Sequence, residues 1–247
     1  MGCCGFPISK RKYYSTFDLV EVQETFYNLP RLEKMRKWRM EAPQTFKFTM
    51  KAWQVITHPK TSPTWRKLRT EVEGKPENYG LLKPTKENLD AWAKTLEVAE
   101  ALNCEVIVLQ LPPKLELNER TYPKISAFLS SIDKGDHLLA IEPRNKTWHS
   151  NREGVKRLFE KFDVIHCVDI FKRDPVETGR AFYIRLHGLG GEINYSYKYT
   201  DNNLKTLKGK VKSLEEKEKD VYILFNNVYM LNDASRFLSM LRENYPK

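Results

Sequence analysis

The sequence predicts a (β/α)8 TIM barrel: eight parallel strands with a long insertion after the third. Eight short apolar runs recur along the 247 residues, and most end in a polar or charged side chain. Stretches with helical apolar spacing separate most of them. A ring of parallel strands brings its C-terminal ends to one rim, so these endings converge on a common pocket.

The runs are 2–6, 19–24 into Glu24, 46–51 into Lys51, and 105–110 into Gln110. The later four are 138–142 into Glu142, 164–169 into Asp169, 181–187 into His187, and 221–227 into Asn226 and Asn227. Adjacent Cys3 and Cys4 point to opposite faces of a strand, poorly placed to hold one metal together. Residues 7–17 read as a polar connection. Pro30 suits the first turn of a helix reaching Met40, and Pro43 stops that helix. Residues 46–51 alternate with period two. From Ala52 to Pro84 the pattern lapses among four prolines and the aromatics Trp53, Trp65 and Tyr79. Usual βα connections run about 2–6 residues, so this insertion is read as a lid or wall of the pocket. A helix is expected from Thr85, where Thr85 and Asn88 imperfectly echo a capping box. Leu89, Trp92, Leu96 and Ala99 form its apolar stripe. Further helices are expected at 118–132, 151–162, 201–219 and 231–244. The loop 187–200 carries three glycines and three tyrosines beside His187.

Without a linker or low-complexity tract, a single domain over 1–247 is expected. Apolar residues make up 40% of the chain, enough for a sizeable core. No apolar run approaches the roughly 20 residues of a membrane-spanning helix. Met1 to Lys10 lacks the order of a signal peptide, so a cytoplasmic protein with no membrane partner is expected. Oligomeric state stays open. Cys3, Cys4, Cys104 and Cys167 read as small hydrophobes, with no disulfide framework. The net charge of +10 attracts polyanions, nucleic acid among them. Lys/Glu-rich stretches such as 212–219, with Glu215 and Lys219 at i,i+4 spacing, equally suit a heat-adapted surface. Walker A, HExxH, GxSxG and paired CxxC motifs are absent, and the glycines at 188–191 do not make a dinucleotide fingerprint.

Three strand ends carry the candidate chemistry. Ala140-Ile141-Glu142-Pro143-Arg144 runs from a strand into a carboxylate and a guanidinium, which suit a general base or metal ligand and a bidentate anion clamp. The alternative is an ion pair of Glu142 with Arg144 or Lys51 that closes the barrel mouth. In Tyr183-Ile184-Arg185-Leu186-His187-Gly188, alternation puts Tyr183, Arg185 and His187 on the inner face. A buried arginine needs an anion, which Asp169, Glu142 or a substrate group would supply. Asn226 and Asn227 offer uncharged hydrogen bonds, as does Gln110; Lys51 and His58 reach toward the same rim. No cofactor is expected. A divalent metal on Glu142, Asp169, His187 and His58 is the one alternative, disfavoured by the neighbouring Lys51, Arg144 and Arg185.

In order, these segments resemble the DUF72 family of YecE-like barrel proteins. The resemblance runs through Gly2 to Phe6, Val20 to Pro30, Phe46 to Lys51 with Ile56-Thr57-His58, and Leu109 to Pro113. It continues through Ile141 to Arg144 with Trp148, Tyr183 to Gly188, and Val221 to Asn227. Departures are Cys3, Cys4 and Phe6 in the first strand, Pro143 within Glu-x-Arg, and the missing small-residue, His-containing stretch after Asn227. The resemblance implies the barrel and its pocket and supplies no reaction.

The leading expectation is an enzyme, of the hydrolase class, acting on a phosphate-bearing substrate such as a nucleic acid or nucleotide. Glu142, His187 and Asp169 are its catalytic candidates. Lys51, His58, Gln110, Arg144, Arg185, Asn226, Asn227 and Tyr195 are its binding candidates. Tyr195, Tyr197 and Trp53 are candidates for stacking on a base or sugar. A non-catalytic nucleic-acid binder and an enzyme on a small sugar or sugar acid are the alternatives.

Overall fold

A computed structural model describes residues 1–242. Strands β1 to β4 span Gly2–Cys4, Leu19–Val22, Lys47–Lys51 and Cys104–Gln110. Strands β5 to β8 span Leu138–Glu142, Val164–Val168, Ala181–Leu186 and Asp220–Phe225. Each pairs in parallel with the next, and β8 returns to β1, so the expected barrel closes.

Period-two alternation sorts each strand's side chains into two populations. Cys4, Leu19, Val108, Ala140, Cys167, Tyr183 and Leu224 fill the barrel interior. Cys3, Val20, Phe48, Leu109, Ile141, Ile184 and Phe225 face outward into the layer shared with the helices. Burial of that second set is what holds the helices on the barrel.

The helices are α1 Lys10–Tyr14, α2 Glu24–Tyr27, α3 Leu32–Glu41, α4 Gln54–Thr57 and α5 Lys86–Leu102. They continue with α6 Tyr122–Ser131, α7 Lys146–Ser150, α8 Arg152–Phe162, α9 Asp201–Glu215 and α10 Met230–Arg242. Among the described residues no helix joins β6 to β7. A loop does so, tied down where the Val176 N–H donates to His166 Nδ1 at 3.0 Å. None of the described helices is long and apolar enough to cross a membrane.

Several expected boundaries move. Residues 7–17 are not a plain connection, because α1 lies within them and buries Tyr13. The Tyr13 hydroxyl accepts from the Cys3 N–H at 2.6 Å and donates to the Leu19 carbonyl at 2.8 Å, joining β1 to β2. Strand β2 ends at Val22, and Glu24 instead opens α2, where it meets exposed Lys34 at 2.6 Å. Asn88 is not a capping residue. Its buried amide accepts from the Gly80 N–H and donates to the Gly80 carbonyl, anchoring the insertion. The stripe of α5 accordingly turns toward Ala91, Trp92, Thr95 and Val98, leaving Leu89 and Leu96 half-buried. Helix α9 stops at Glu215, and Lys217 and Lys219 turn to Glu177, so no Glu215–Lys219 pair forms. The expected helix 231–244 is α10; residues 243 and 244 lie outside the described residues.

The insertion folds back on the end of β3. It contains α4 and two single 3-10 turns, Pro63–Lys67 and Pro76–Asn78. The Leu82 N–H donates to the Ile56 carbonyl at 3.1 Å, and the Trp65 indole donates to the His58 carbonyl at 2.8 Å.

Removing the Tyr13 hydroxyl with Tyr13→Phe strands two buried backbone groups at once. Urea unfolding should report a loss of about 1–3 kcal/mol with an unchanged circular dichroism spectrum. A loss near zero would show that the β1–β2 junction does not need this bridge.

Candidate functional site

The rim is organised around a buried guanidinium. Arg185, the inward residue next to the end of β7, is fully buried. Its Nη2 lies 3.0 Å from Glu21 Oε1 on β2, and its Nη1 bonds Glu142 Oε2 at the end of β5. Gln110 Oε1, at the end of β4, accepts from the same Nη1 at 3.2 Å. Tyr183 sits one layer below and donates to Glu21 Oε2 at 2.8 Å, with its hydroxyl also 2.7 Å from Thr49 Oγ1. A charge this deep is tolerated only when paired and hydrogen-bonded, which both carboxylates achieve here.

Glu142 has further partners. Arg144 Nη2 donates to its Oε1 at 2.9 Å, and His187 Nε2 stands 3.3 Å from that same oxygen. Arg144 Nη2 also reaches His187 Nε2 at 3.1 Å, where the neutral ring nitrogen accepts. Asp169 lies just past β6. Its Oδ2 accepts from the His187 backbone N–H at 2.9 Å and meets Lys172 Nζ at 3.1 Å. Asp169 therefore fastens the end of β7 to the β6 loop.

Lys51 ends β3 under different conditions. Its backbone is fixed, because Thr25 Oγ1 donates to its carbonyl at 2.7 Å and the Ala52 N–H bonds Val108. Its side chain is buried, 6% exposed, and its ammonium rests 4.1 Å over the Phe26 ring. Among the described residues no carboxylate lies within ion-pair distance of Nζ, since those nearby are held by Arg185 and Arg144. Lys51 lines an open cavity of ≈ 400 Å³ together with Phe26, Gln110, Arg185, Tyr195, Asn226 and Asn227. Gln23, Tyr27 and Thr64 complete that part of the wall.

Gly188 shapes the far side. It adopts φ +83°, and a Cβ there would sit 2.1 Å from the Asn194 carbonyl oxygen. Glycine alone permits this turn, which carries Tyr195 back to the mouth, 6.1 Å from the His187 ring. Asn227 is held by bonds to the Tyr197 carbonyl and to Asp233, both at 2.7 Å, leaving its buried Oδ1 unpartnered.

The environment separates the titratable groups. Burial alone would push Glu142 up, but Arg144 and Arg185 outweigh it and hold the carboxyl well below its ordinary range. Burial, reinforced by Arg185 and Arg144 against the opposing pull of Glu142, keeps His187 neutral. Burial and Lys51 bring His58 down to about 4. Burial and the neighbouring Arg185 bring Lys51 down to about 8, despite Glu21 and Glu142. Of these four, Lys51 alone changes charge near neutral pH.

Residues 10–247 match the family described as protein of unknown function DUF72. The chain belongs to the DUF72 family. UPF0759 protein YunF of Bacillus subtilis is 26% identical over 239 residues, covering 87% of this chain and 79% of YunF. A DUF72 family protein from Enterococcus faecalis superposes with TM-score 0.68 at 19% identity, covering 100% of this chain and 97% of its own. Another from Thermotoga maritima gives TM-score 0.67 at 22% identity, covering 94% and 88%. At those identities the superpositions speak for the shared barrel alone.

Within this DUF72 barrel the expected residues divide into two groups. Lys51, Gln110, Arg185, Tyr195, Asn226 and Asn227 line the cavity. Glu142, His187 and Arg144 cluster among themselves and are not part of its lining, nor are Asp169 and His58. The anion expected for Arg185 is supplied by Glu142 and by Glu21, whereas Asp169 goes to Lys172. Glu142 pairs with Arg144 and not with Lys51. Trp53 is buried and Tyr197 donates to Asn203 at 2.7 Å, so of the three aromatics only Tyr195 lines the cavity. Among the described residues no three His, Cys, Asp or Glu side chains group to hold a metal, so Glu142, Asp169, His187 and His58 do not form the alternative donor set. Glu21 was missed as a candidate, although a carboxylate between Val20 and Val22 in an alternating strand was its signal.

Two substitutions should move stability in opposite directions. Lys51 titrates at about 8 in the folded chain against an ordinary 10.5. The folded state therefore resists this proton, a cost present below about pH 8 and relieved as pH rises toward 10.5. Lys51→Met should stabilise the protein at pH 7 by up to about 3 kcal/mol. Arg185→Met should cost about 3–5 kcal/mol by leaving Glu21 buried without a cation and Glu142 with Arg144 alone. Chemical denaturation of both variants checks the signs, and equal losses would refute this charge assignment.

Proposed function

We propose that this DUF72 barrel is an enzyme acting on a small hydroxylated anion, such as a sugar phosphate or sugar acid, at its C-terminal rim. The observation that carries this reading is Lys51, a lysine in the cavity wall whose ammonium has no carboxylate partner among the described residues. At the rim three cations, Lys51, Arg144 and Arg185, face two carboxylates, Glu21 and Glu142. A guest with one negative group balances the excess. The amides of Gln110, Asn226 and Asn227 suit hydroxyl groups, and Tyr195 offers a flat apolar face.

An open cavity of ≈ 400 Å³ is within the size range of small-molecule sites. Hydrolysis and proton transfer on such a guest both need a base. Activating water needs a base that accepts a proton near neutral pH. Glu142 holds its negative charge too firmly, and His187 and His58 accept protons only in acid. Lys51 is the group poised to give or take one.

Calorimetric titration with ribitol 5-phosphate and with gluconate tests the reading. Binding should occur at pH 7 and weaken as pH rises through about 8, where Lys51 loses its charge. Lys51→Met should weaken it about 10-fold or more, the worth of one hydrogen bond from a charged group. Affinity unchanged by both the substitution and the pH would remove Lys51 from the site.

A further inference from the structure

We infer that Lys51 is a nucleophile that forms an imine with an aldehyde or ketone carbon, so that the substrate is a carbonyl compound. The inference rests on the reading of the rim as a site for a small anion, and it names the functional group that such an anion carries.

Four observations converge on Nζ. The side chain lines the cavity, so a guest can reach it. No carboxylate among the described residues pairs with it, so neither an ion pair nor its geometry must be broken before the nitrogen reacts. Its backbone is pinned on β3 by Thr25 and Val108, which fixes the direction of approach. Arg185, a second cation, lines the same cavity wall, and the side chain is only 6% exposed, so like charge and burial both favour release of a lysine proton. The lowered titration of Lys51, about 8, agrees with this placement by leaving free amine available near neutral pH.

The step balances without a further reagent. One ammonium proton leaves, and the freed lone pair forms the C–N bond while the carbonyl π pair moves to oxygen. That oxygen departs as water with two of the three original protons, and the third stays on nitrogen. The ammonium and the carbonyl compound thus become an iminium ion and water, and nothing is oxidised or reduced. The iminium keeps the positive charge of the ammonium. The balance with Glu21, Glu142 and Arg185 is therefore preserved, and the Phe26 ring still faces a cation. A cationic imine withdraws electrons from the neighbouring carbon, which eases proton removal or carbon–carbon cleavage there.

Reductive trapping decides the matter on the full chain. The protein is incubated with ribose 5-phosphate and sodium borohydride, digested and mapped by mass spectrometry. Lys51 should carry the reduced adduct at least about tenfold above any other lysine at pH 7.5, with its labelling rising through about pH 8. Lys51→Arg keeps the charge but cannot form the imine. It should abolish that adduct, and ribitol 5-phosphate, which has no carbonyl, should still bind the native chain. Adducts confined to other lysines, with ribitol 5-phosphate still bound at Lys51, would overturn the imine and leave the anion site standing. Absence of both trapping and binding would overturn the two together.

Discussion

The rim depends on one buried guanidinium matched by two carboxylates. Arg185 stands at the top of the barrel interior with Glu21 and Glu142 against it, and these three belong to β7, β2 and β5. Strands that share no edge are thereby joined at a single point. Without Arg185, Glu21 would be buried with no cation and Glu142 would keep Arg144 alone, and Arg185 could not remain buried without them. Tyr183 and Gln110 complete the set by occupying Glu21 and the guanidinium from below and beside.

The electrostatics of the cavity follow from that pairing. Because Glu21 and Glu142 are taken, Lys51 meets the cavity with no carboxylate of its own and with Arg185 nearby. The same arrangement that satisfies the barrel interior therefore leaves one amine under tension, charged at some cost and reactive when neutral. On the proposed reading, stability and chemistry pull apart at this residue, as is common where a site demands what a core would reject. Glu142, which the sequence presents as a general base, a metal ligand or one half of an ion pair, is the counter-ion of both Arg144 and Arg185.

Much of the barrel could be read from the sequence because strand periodicity is a local property. Alternation in 181–187 put Arg185 on the inner face, alternation in 46–51 marked the strand that Lys51 ends, and the loop after His187 came with its glycines. Local spacing also placed Lys51, Gln110, Asn226 and Asn227 at strand ends that the barrel brings to one rim. Glu24 misled because it follows an apolar run by two positions, and α2 begins before the strand could reach it. Asn88 misled because its amide is used across the insertion to Gly80, a contact between segments that no capping pattern contains.

By itself the sequence determined the fold class, the order of the strands and the polar character of their ends, since these follow from periodicity and composition. Tertiary structure alone decided which charge meets which. Coulombic pairing depends on distance and burial across β2, β3, β5 and β7, and neither quantity is encoded in spacing along the chain. That is why Glu21 emerged as the partner of Arg185, and why the amine without a partner is Lys51.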